Sequence, residues 1–292
     1  MEEAKGGKRP PPMTRPIPLT LGAYAAATRL LAPLAPAWLR HRVRLGKEDP
    51  RRWPERLGQA GLLRPPGRLA WLHGVSVGET LSLLPLVARL REERPDVSLL
   101  VTSGTRASAE LLEARLCGRA LHQYAPLDTP GAVARFLDTW KPEIGVFAES
   151  ELWPNLILGA RARGVRLALI SGRLSQSSAA TWRRAPAAVR ALLGAFDLIL
   201  AADTLCYFGD LAPVFAACRR ALSGDGVFAF TVETFDGEGF RLLPGLRFAH
   251  ARPHVEDAAR AAGLRVACLR RAWARREADA EAPGLAGALE PA

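Results

Sequence analysis

The 292-residue chain is long enough for one large domain or two ordinary ones, and 49% hydrophobic with 24% charged residues suits a buried core under an ordinary charged surface. Its formal net charge of +11, supplied mostly by arginine, excludes an acidic, solvating composition and suits anionic partners: phosphorylated lipid, nucleotide or an anionic membrane face. Nucleic acid is not expected, because no basic stripe interleaved with aromatics is present. The four scattered cysteines exclude a disulfide framework and show no metal-ligand spacing, so they read as reduced, small, buried side chains in a cytoplasmic setting.

Residues 1–20 form a basic, proline-rich tail that is expected to be mobile. Residues 19–39 are apolar, but Arg29 interrupts them and Pro33 and Pro36 stiffen them. A central arginine costs about 2.5–3.5 kcal/mol on insertion scales, which makes a full membrane span marginal. Arg40, His41, Arg42, Arg44 and Lys47 follow at once. Two readings stay open for residues 21–45: a shallow anchor on an anionic membrane surface, or an amphipathic helix that covers the domain. No small-residue cleavage site follows, so a cleaved signal peptide is not expected. Residues 50–66 are a proline-bounded connector.

From residue 68 to 203 apolar runs alternate with helical patterns. The strand candidates are 69–72, 98–102, 144–148, 166–171 and 198–201; the helices are 81–94, 107–116, 130–140, 156–163 and 187–193. This repeated βα unit predicts an α/β fold with a doubly wound, mostly parallel, Rossmann-like sheet. Beyond 203 the pattern is helix (211–222), strand (227–232), helix (255–262), strand (265–269) and a last strand candidate (284–289). That stretch is again α/β but too short for a complete second domain, and 278–292 is expected to be partly mobile unless its strand pairs. It either extends the first sheet or forms a separate small lobe.

Four loops at strand ends carry the candidate chemistry. His73-Gly74-Val75-Ser76-Val77-Gly78-Glu79 follows the first strand and sets Glu79 where open α/β sheets bind ligands. Gly74 and Gly78 are expected to adopt angles that other residues resist and to let a substrate approach. The structural alternative is a turn in which Ser76 starts a helix and Glu79 complements its dipole. Thr102-Ser103-Gly104-Thr105 offers hydroxyls and backbone N–H groups to an anion. Glu149-Ser150-Glu151-Leu152-Trp153-Pro154-Asn155 sets two carboxylates beside a large aromatic, and Ser171-Gly172-Arg173 presents a cation. Glu79, Glu149 and Arg173 are thus expected at one edge of the sheet, a convergence that structure alone does not require.

Six spaced stretches (44–58, 73–79, 101–105, 122–128, 149–155 and 171–175) resemble, in order, the N-terminal half of the Kdo transferase family. Those enzymes move 3-deoxy-D-manno-octulosonic acid (Kdo) onto a lipid A precursor. The resemblance covers about residues 21–201. It implies a glycosyltransferase of the GT-B type acting in lipopolysaccharide biosynthesis at the cytoplasmic face of the cell inner membrane. CMP-Kdo is the implied donor and lipid IVA the acceptor; no metal and no cofactor are required. By matching motifs, Glu79 takes the family's general-base position and Glu149 that of its transition-state stabiliser. Ser76, Gly78, Ser103, Gly104, Thr105 and Arg173 would line the acceptor's anionic sugar-phosphate groups. A sugar hydroxyl does not ionise at pH 7, whereas an ordinary glutamate, with a pKa of about 4.3, is ready to take its proton. Attack passes through a cation-like sugar that a second carboxylate can stabilise. Glu151 and Trp153 read as loop braces, and His73 as a strand-end histidine.

A family member would continue past 201 with a complete donor-binding domain that supplies a catalytic lysine, and nothing here matches it. Instead 203–214, 227–233 and 247–255 resemble the C-terminal half of a class I S-adenosylmethionine-dependent methyltransferase, without that family's cofactor-binding first half. The implied organisation is a tail (1–20), a membrane-docking helix (21–45), an acceptor domain (46–202) and a partial methyltransferase-like segment (203–292). Transfer by this chain is expected to be impaired. A methyltransferase fragment and a non-catalytic lipid A precursor binder are the alternatives.

Overall fold

A computed structural model of the protein describes residues 16–148, 152–172, 182–277 and 280–292. The chain divides into two units, Met1–Leu167 and Ala168–Ala292. Both are α/β, and the strands of the βα repeat run parallel.

The first unit opens with α1 (Leu19–Leu31), a single 3-10 turn at Ala32–Leu34, and α2 (Ala35–Arg44). The apolar run predicted as one helix is therefore broken, at Pro33, where a missing N–H and a fixed φ favour a tighter turn. Among the described residues no helix is long and apolar enough to cross a membrane. Leu21, Ala35 and Leu39 face the interior. Leu19, Leu30 and Leu31 on α1, Leu34 in the turn and Trp38 on α2 are exposed.

The parallel strands are β1 (Arg68–His73), β2 (Val97–Ser103), β3 (Leu121–Tyr124) and β4 (Ile144–Ala148), in the order β4-β1-β2-β3. Helices α3 (Val77–Glu93), α4 (Arg106–Leu116), α5 (Pro130–Trp140) and α6 (Pro154–Ala162) alternate with them. All five strands read from periodicity between 68 and 203 fall within one residue of the observed limits of β1, β2, β4, β5 (Arg166–Ile170), at which the chain divides, and β6 (Leu198–Ala201). Strand β3 is not among them, since Leu-His-Gln-Tyr carries no apolar run. It forms because β2 offers a free ladder edge, Leu100 to Ser103 pairing with Leu121 to Tyr124. The core is aromatic: Trp71, Phe136, Phe147 and Trp140 are each no more than 1% exposed, and the Trp71 ring meets Phe136 at 5.2 Å and Phe147 at 5.1 Å.

In the second unit, β5 pairs with β6 (Leu198–Ala201) and β6 with β7 (Val227–Thr234), all parallel. Helices α7 (Pro186–Leu193), α8 (Ala212–Ala221) and α9 (Arg252–Ala261) lie between strands in sequence. The two last strands, β10 (Leu264–Glu277) and β11 (Ala280–Pro291), are far longer than the sequence pattern suggests. They pair antiparallel with each other, and β11 pairs antiparallel with β7. The condition set for order at the C-terminus is thus met: the last strand pairs on both sides. Two short strands, β8 (Phe240–Leu242) and β9 (Phe248–His250), form a hairpin on β7. Phe215, Phe228, Phe230, Val255, Leu285 and Leu289 build the core of this unit.

Not all cysteines are buried as expected. Cys206 is, but Cys117 and Cys268 are exposed. Cys117 caps α4 with φ of 47°, a turn position that puts its side chain at the surface.

Candidate functional site

The loop after β1 is set by a helix cap. Ser76 is the N-cap of α3, so the helix starts at Val77, earlier than the periodicity suggests, and Glu79 belongs to its first turn. Ser76 Oγ accepts from the Glu79 amide at 3.4 Å and donates to Glu79 Oε1 at 2.9 Å, while the Val75 N–H donates to Oε2 at 2.6 Å. This is a capping box shifted by one residue, with both carboxylate oxygens fixed. Glu79 is half-buried at the C-terminal end of a parallel strand and on a helix N-terminus. The capping role expected as the structural alternative is therefore present in this side chain.

The glycines act differently from the expectation. Neither Gly74 nor Gly78 has a positive φ. A Cβ on Gly74 would lie 3.1 Å from both the carbonyl carbon and the Cβ of Glu79, so its bareness lets the first turn of α3 close onto β1. Gly78 is exposed and a Cβ there would meet nothing. Gly104 is needed for a close approach, since its Cβ would fall 2.6 Å from Val75 Cγ1. Its N–H donates to the Val75 carbonyl at 3.0 Å, and the Gly74 N–H donates to the Thr102 carbonyl at 3.1 Å. The first two candidate loops are thus laced together.

The hydroxyls expected to meet an anion are engaged inside the protein. Ser103 is fully buried with its Oγ 2.9 Å from His122 Nε2. Thr105 caps α4 in a reciprocal box with Ser108. Ser76 serves Glu79 as described. Glu149, Glu151 and Arg173 lie outside the described residues, as does Ser150. Among the described residues no three His, Cys, Asp or Glu side chains cluster as metal ligands do.

His73 is fully buried, and burial, helped by the positive Arg56, lowers its pKa to about 3. Trp71 Nε1 donates to Thr102 Oγ1 at 2.8 Å, and that hydroxyl sits 2.9 Å from His73 Nδ1. This is the structural histidine expected, though its Nε2 has no hydrogen-bond partner.

Much of the remaining motif set braces the sheet edge. Arg52 donates to both oxygens of Glu55 at 2.8 and 2.9 Å and to the His122 carbonyl at 3.0 Å. Glu55 in turn accepts from the Tyr124 N–H at 2.8 Å. Buried Glu48 sits between Arg42 at 2.9 Å and Arg56 at 3.7 Å. Asp128 Oδ1 accepts from the Leu156 N–H at 2.8 Å, and its Oδ2 accepts from the Asn155 N–H at 3.1 Å. The stretches that hold most of these residues carry the family resemblance, but nothing local in them marks these side chains as braces. Acid and base stand close in 44–58, yet their decisive partners lie about seventy positions away.

In the second unit three motif residues converge. Arg247, largely buried, pairs with buried Glu233 and with Asp203. Its guanidinium also lies 5.5 Å from the Tyr207 ring centroid, and the two carboxylates hold its pKa above the usual arginine value.

The model of the 3-deoxy-D-manno-octulosonic-acid transferase (Kdo transferase) family matches residues 51–205, more than half of the sequence. The chain belongs to that family, whose members are glycosyl-transferring enzymes. It is 40% identical over 184 residues to a probable mitochondrial 3-deoxy-D-manno-octulosonic acid transferase of Arabidopsis thaliana, covering 62% of this chain and 41% of that one. It is 42% identical over 187 residues to the 3-deoxy-D-manno-octulosonic acid transferase of Bordetella pertussis, covering 62% and 44%. The chain thus spans less than half the length of these relatives. Among solved structures, a Burkholderia thailandensis 1,6-didemethyltoxoflavin-N1-methyltransferase superposes with a TM-score of 0.32 at 14% identity, over 93% of this chain and 80% of that one. An S-adenosylmethionine-dependent methyltransferase of Methanosarcina mazei gives 0.32 at 9% identity, over 78% and 93%. TM-scores this low bear on neither fold nor function.

Proposed function

We propose that residues 46–202 are the acceptor-binding half of a GT-B Kdo transferase, with lipid IVA as acceptor, CMP-Kdo as donor and Glu79 as the base. The observation that carries this is the carboxylate of Glu79, held by the Val75 N–H and the Ser76 hydroxyl at the C-terminal end of β1. A base must be oriented before it can take a proton from the attacking sugar hydroxyl, and two donors on one carboxylate supply that orientation. Glu149 is the proposed stabiliser of the cation-like sugar, and Arg173 the partner of the acceptor's phosphates, with Ser76, Gly78, Gly104 and Thr105 lining them and buried Ser103 bracing the loop behind. The family match ends at Leu205, within the first of the methyltransferase-like stretches. We read 203–292 as a segment of other descent that does not continue the family's pattern.

Membrane seating belongs to the same reading. Between Pro16 and Lys47 there is no Asp or Glu, while Arg29, Arg40, Arg42, Arg44 and Lys47 are cationic. Exposed Leu19, Leu30, Leu31 and Leu34 supply the apolar face for the cytoplasmic leaflet of the inner membrane.

The test has three arms. Lipid IVA should bind the full chain, and CMP-Kdo-dependent transfer, where measurable, should vanish in Glu79→Ala. Binding without transfer supports a non-catalytic acceptor binder. A melting temperature raised by S-adenosylmethionine supports the methyltransferase fragment instead. Loss of nothing in Glu79→Ala while transfer proceeds refutes the assigned base.

A further inference from the structure

Helix α6 has no cap of its own. Its N-cap residue is Trp153, whose side chain bonds no helix amide, and Pro154 follows at the first position. The next two N–H groups, those of Asn155 and Leu156, are orphans of the kind every helix N-terminus leaves. They are met by a residue 27 positions earlier: Asp128, 7% exposed, takes both, one on each oxygen. Its backbone carbonyl also accepts from Asn155 Nδ2 at 2.6 Å.

That same carboxylate is shared with α1. Tyr24 donates its hydroxyl to Asp128 Oδ2 at 2.9 Å, across 104 residues. A second link runs alongside, Asn155 Nδ2 donating to Thr28 Oγ1 at 3.0 Å. Tyr24 and Thr28 are four residues apart, one helical turn, and so lie on one face. Leu19, Leu30 and Leu31, on the rest of the helix, are 93%, 80% and 60% exposed. The helix that turns its apolar side chains outward is thereby tied by one hydrogen bond to Asp128, the cap of α6, and by another to Asn155 in the first turn of α6, the element that follows the acidic loop of the family match. Burial pushes the Asp128 carboxyl upward, and burial together with the neighbouring Asp128 charge does the same to the Tyr24 phenol, although Tyr24 as a whole is 37% exposed.

We propose that Asp128 is a positioning residue that couples the seating of α1 on an anionic lipid surface to the order of the α6 N-terminus, through Tyr24 and Thr28. The coupling rests on the membrane reading above and extends it. Lipid contact orders α1, α1 holds Tyr24 and Thr28 in place, and their bonds hold Asp128 and Asn155 where α6 begins.

The experiment uses the full chain with vesicles of phosphatidylethanolamine and phosphatidylglycerol, read by co-sedimentation and by amide exchange at Asn155 and Leu156. In the wild type, vesicles should slow exchange at these two amides about five-fold, the equivalent of one net hydrogen bond. Tyr24→Phe, and independently Thr28→Val, should bind vesicles as the wild type does and lose most of that slowing. The pair of substitutions together should abolish it. Wild-type protein that fails to sediment overturns the membrane reading and the coupling with it. Sedimentation with unchanged exchange, or with equal slowing in wild type and double variant, overturns the coupling alone.

Discussion

Replacing Glu55 by alanine removes an acceptor on which the outer edge of the first sheet depends. The carboxylate, 7% exposed, takes two bonds from Arg52 and one from the Tyr124 N–H. Breaking a buried ion pair costs about 3–5 kcal/mol because the remaining charge is stranded. Arg52 is 29% exposed and can rehydrate, and it keeps the His122 carbonyl and its position 5.0 Å from the Tyr124 ring centroid, which lowers that part to about 1–2 kcal/mol. The Tyr124 N–H has no such recourse, and an unmet buried donor adds about 1–3 kcal/mol. The expected total for Glu55→Ala is about 3 kcal/mol, or a fall in Tm of roughly 6–12 °C for a unit of this size. Glu55→Gln keeps an acceptor for Tyr124 and loses only charge, so about half the effect is expected. Urea denaturation followed by tryptophan fluorescence, with calorimetry, measures both. If Glu55→Ala stays within about 1 kcal/mol of wild type, or Glu55→Gln is equally harmful, the assignment of Glu55 as the clamp on β3 is wrong.

Gly104→Ala should cost about 1–3 kcal/mol by overpacking against Val75, and Val75→Ala in the same chain should recover part of it; simple additivity in denaturant midpoints would sink that account. His73 and His122 are both lowered to about 3 from an ordinary 6.5, by burial first and then by Arg56 and Arg52 respectively. The unfolded chain therefore binds protons that the folded chain refuses, and the stability they contribute is intact above about pH 6.5 and lost as pH falls toward 3. Stability should drop by about 1.4 kcal/mol per pH unit for each histidine below the unfolded pKa, and His122→Gln should lower that slope; a flat profile from about pH 6 to pH 4 refutes it. In the second unit, Arg247→Met strands buried Glu233 and should cost about 3–5 kcal/mol, while adding Glu233→Gln should return much of it; equal midpoints for the single and double variants contradict this.

The alternation of apolar runs and helical periods was enough to determine the α/β class and most of the parallel strands, because a strand buried on both faces writes itself as an uninterrupted apolar run. The motif spacing was enough for the family, since six stretches in order constrain a chain far more than any one does. Periodicity could not show β3, a polar tetrapeptide that is a strand only because β2 lies beside it. Nor could it show how far β10 and β11 run, which their mutual pairing sets. Glu79 was legible as a strand-end carboxylate, yet only the folded loop decided that Ser76 and Val75 hold it, and that Gly74 and Gly104 serve close contact between segments. The roles of Glu55 and Asp128 depend on partners as far as 104 positions away. Sequence records which groups a chain carries and their local rhythm; the three-dimensional path alone decides which distant donor a buried carboxylate must satisfy.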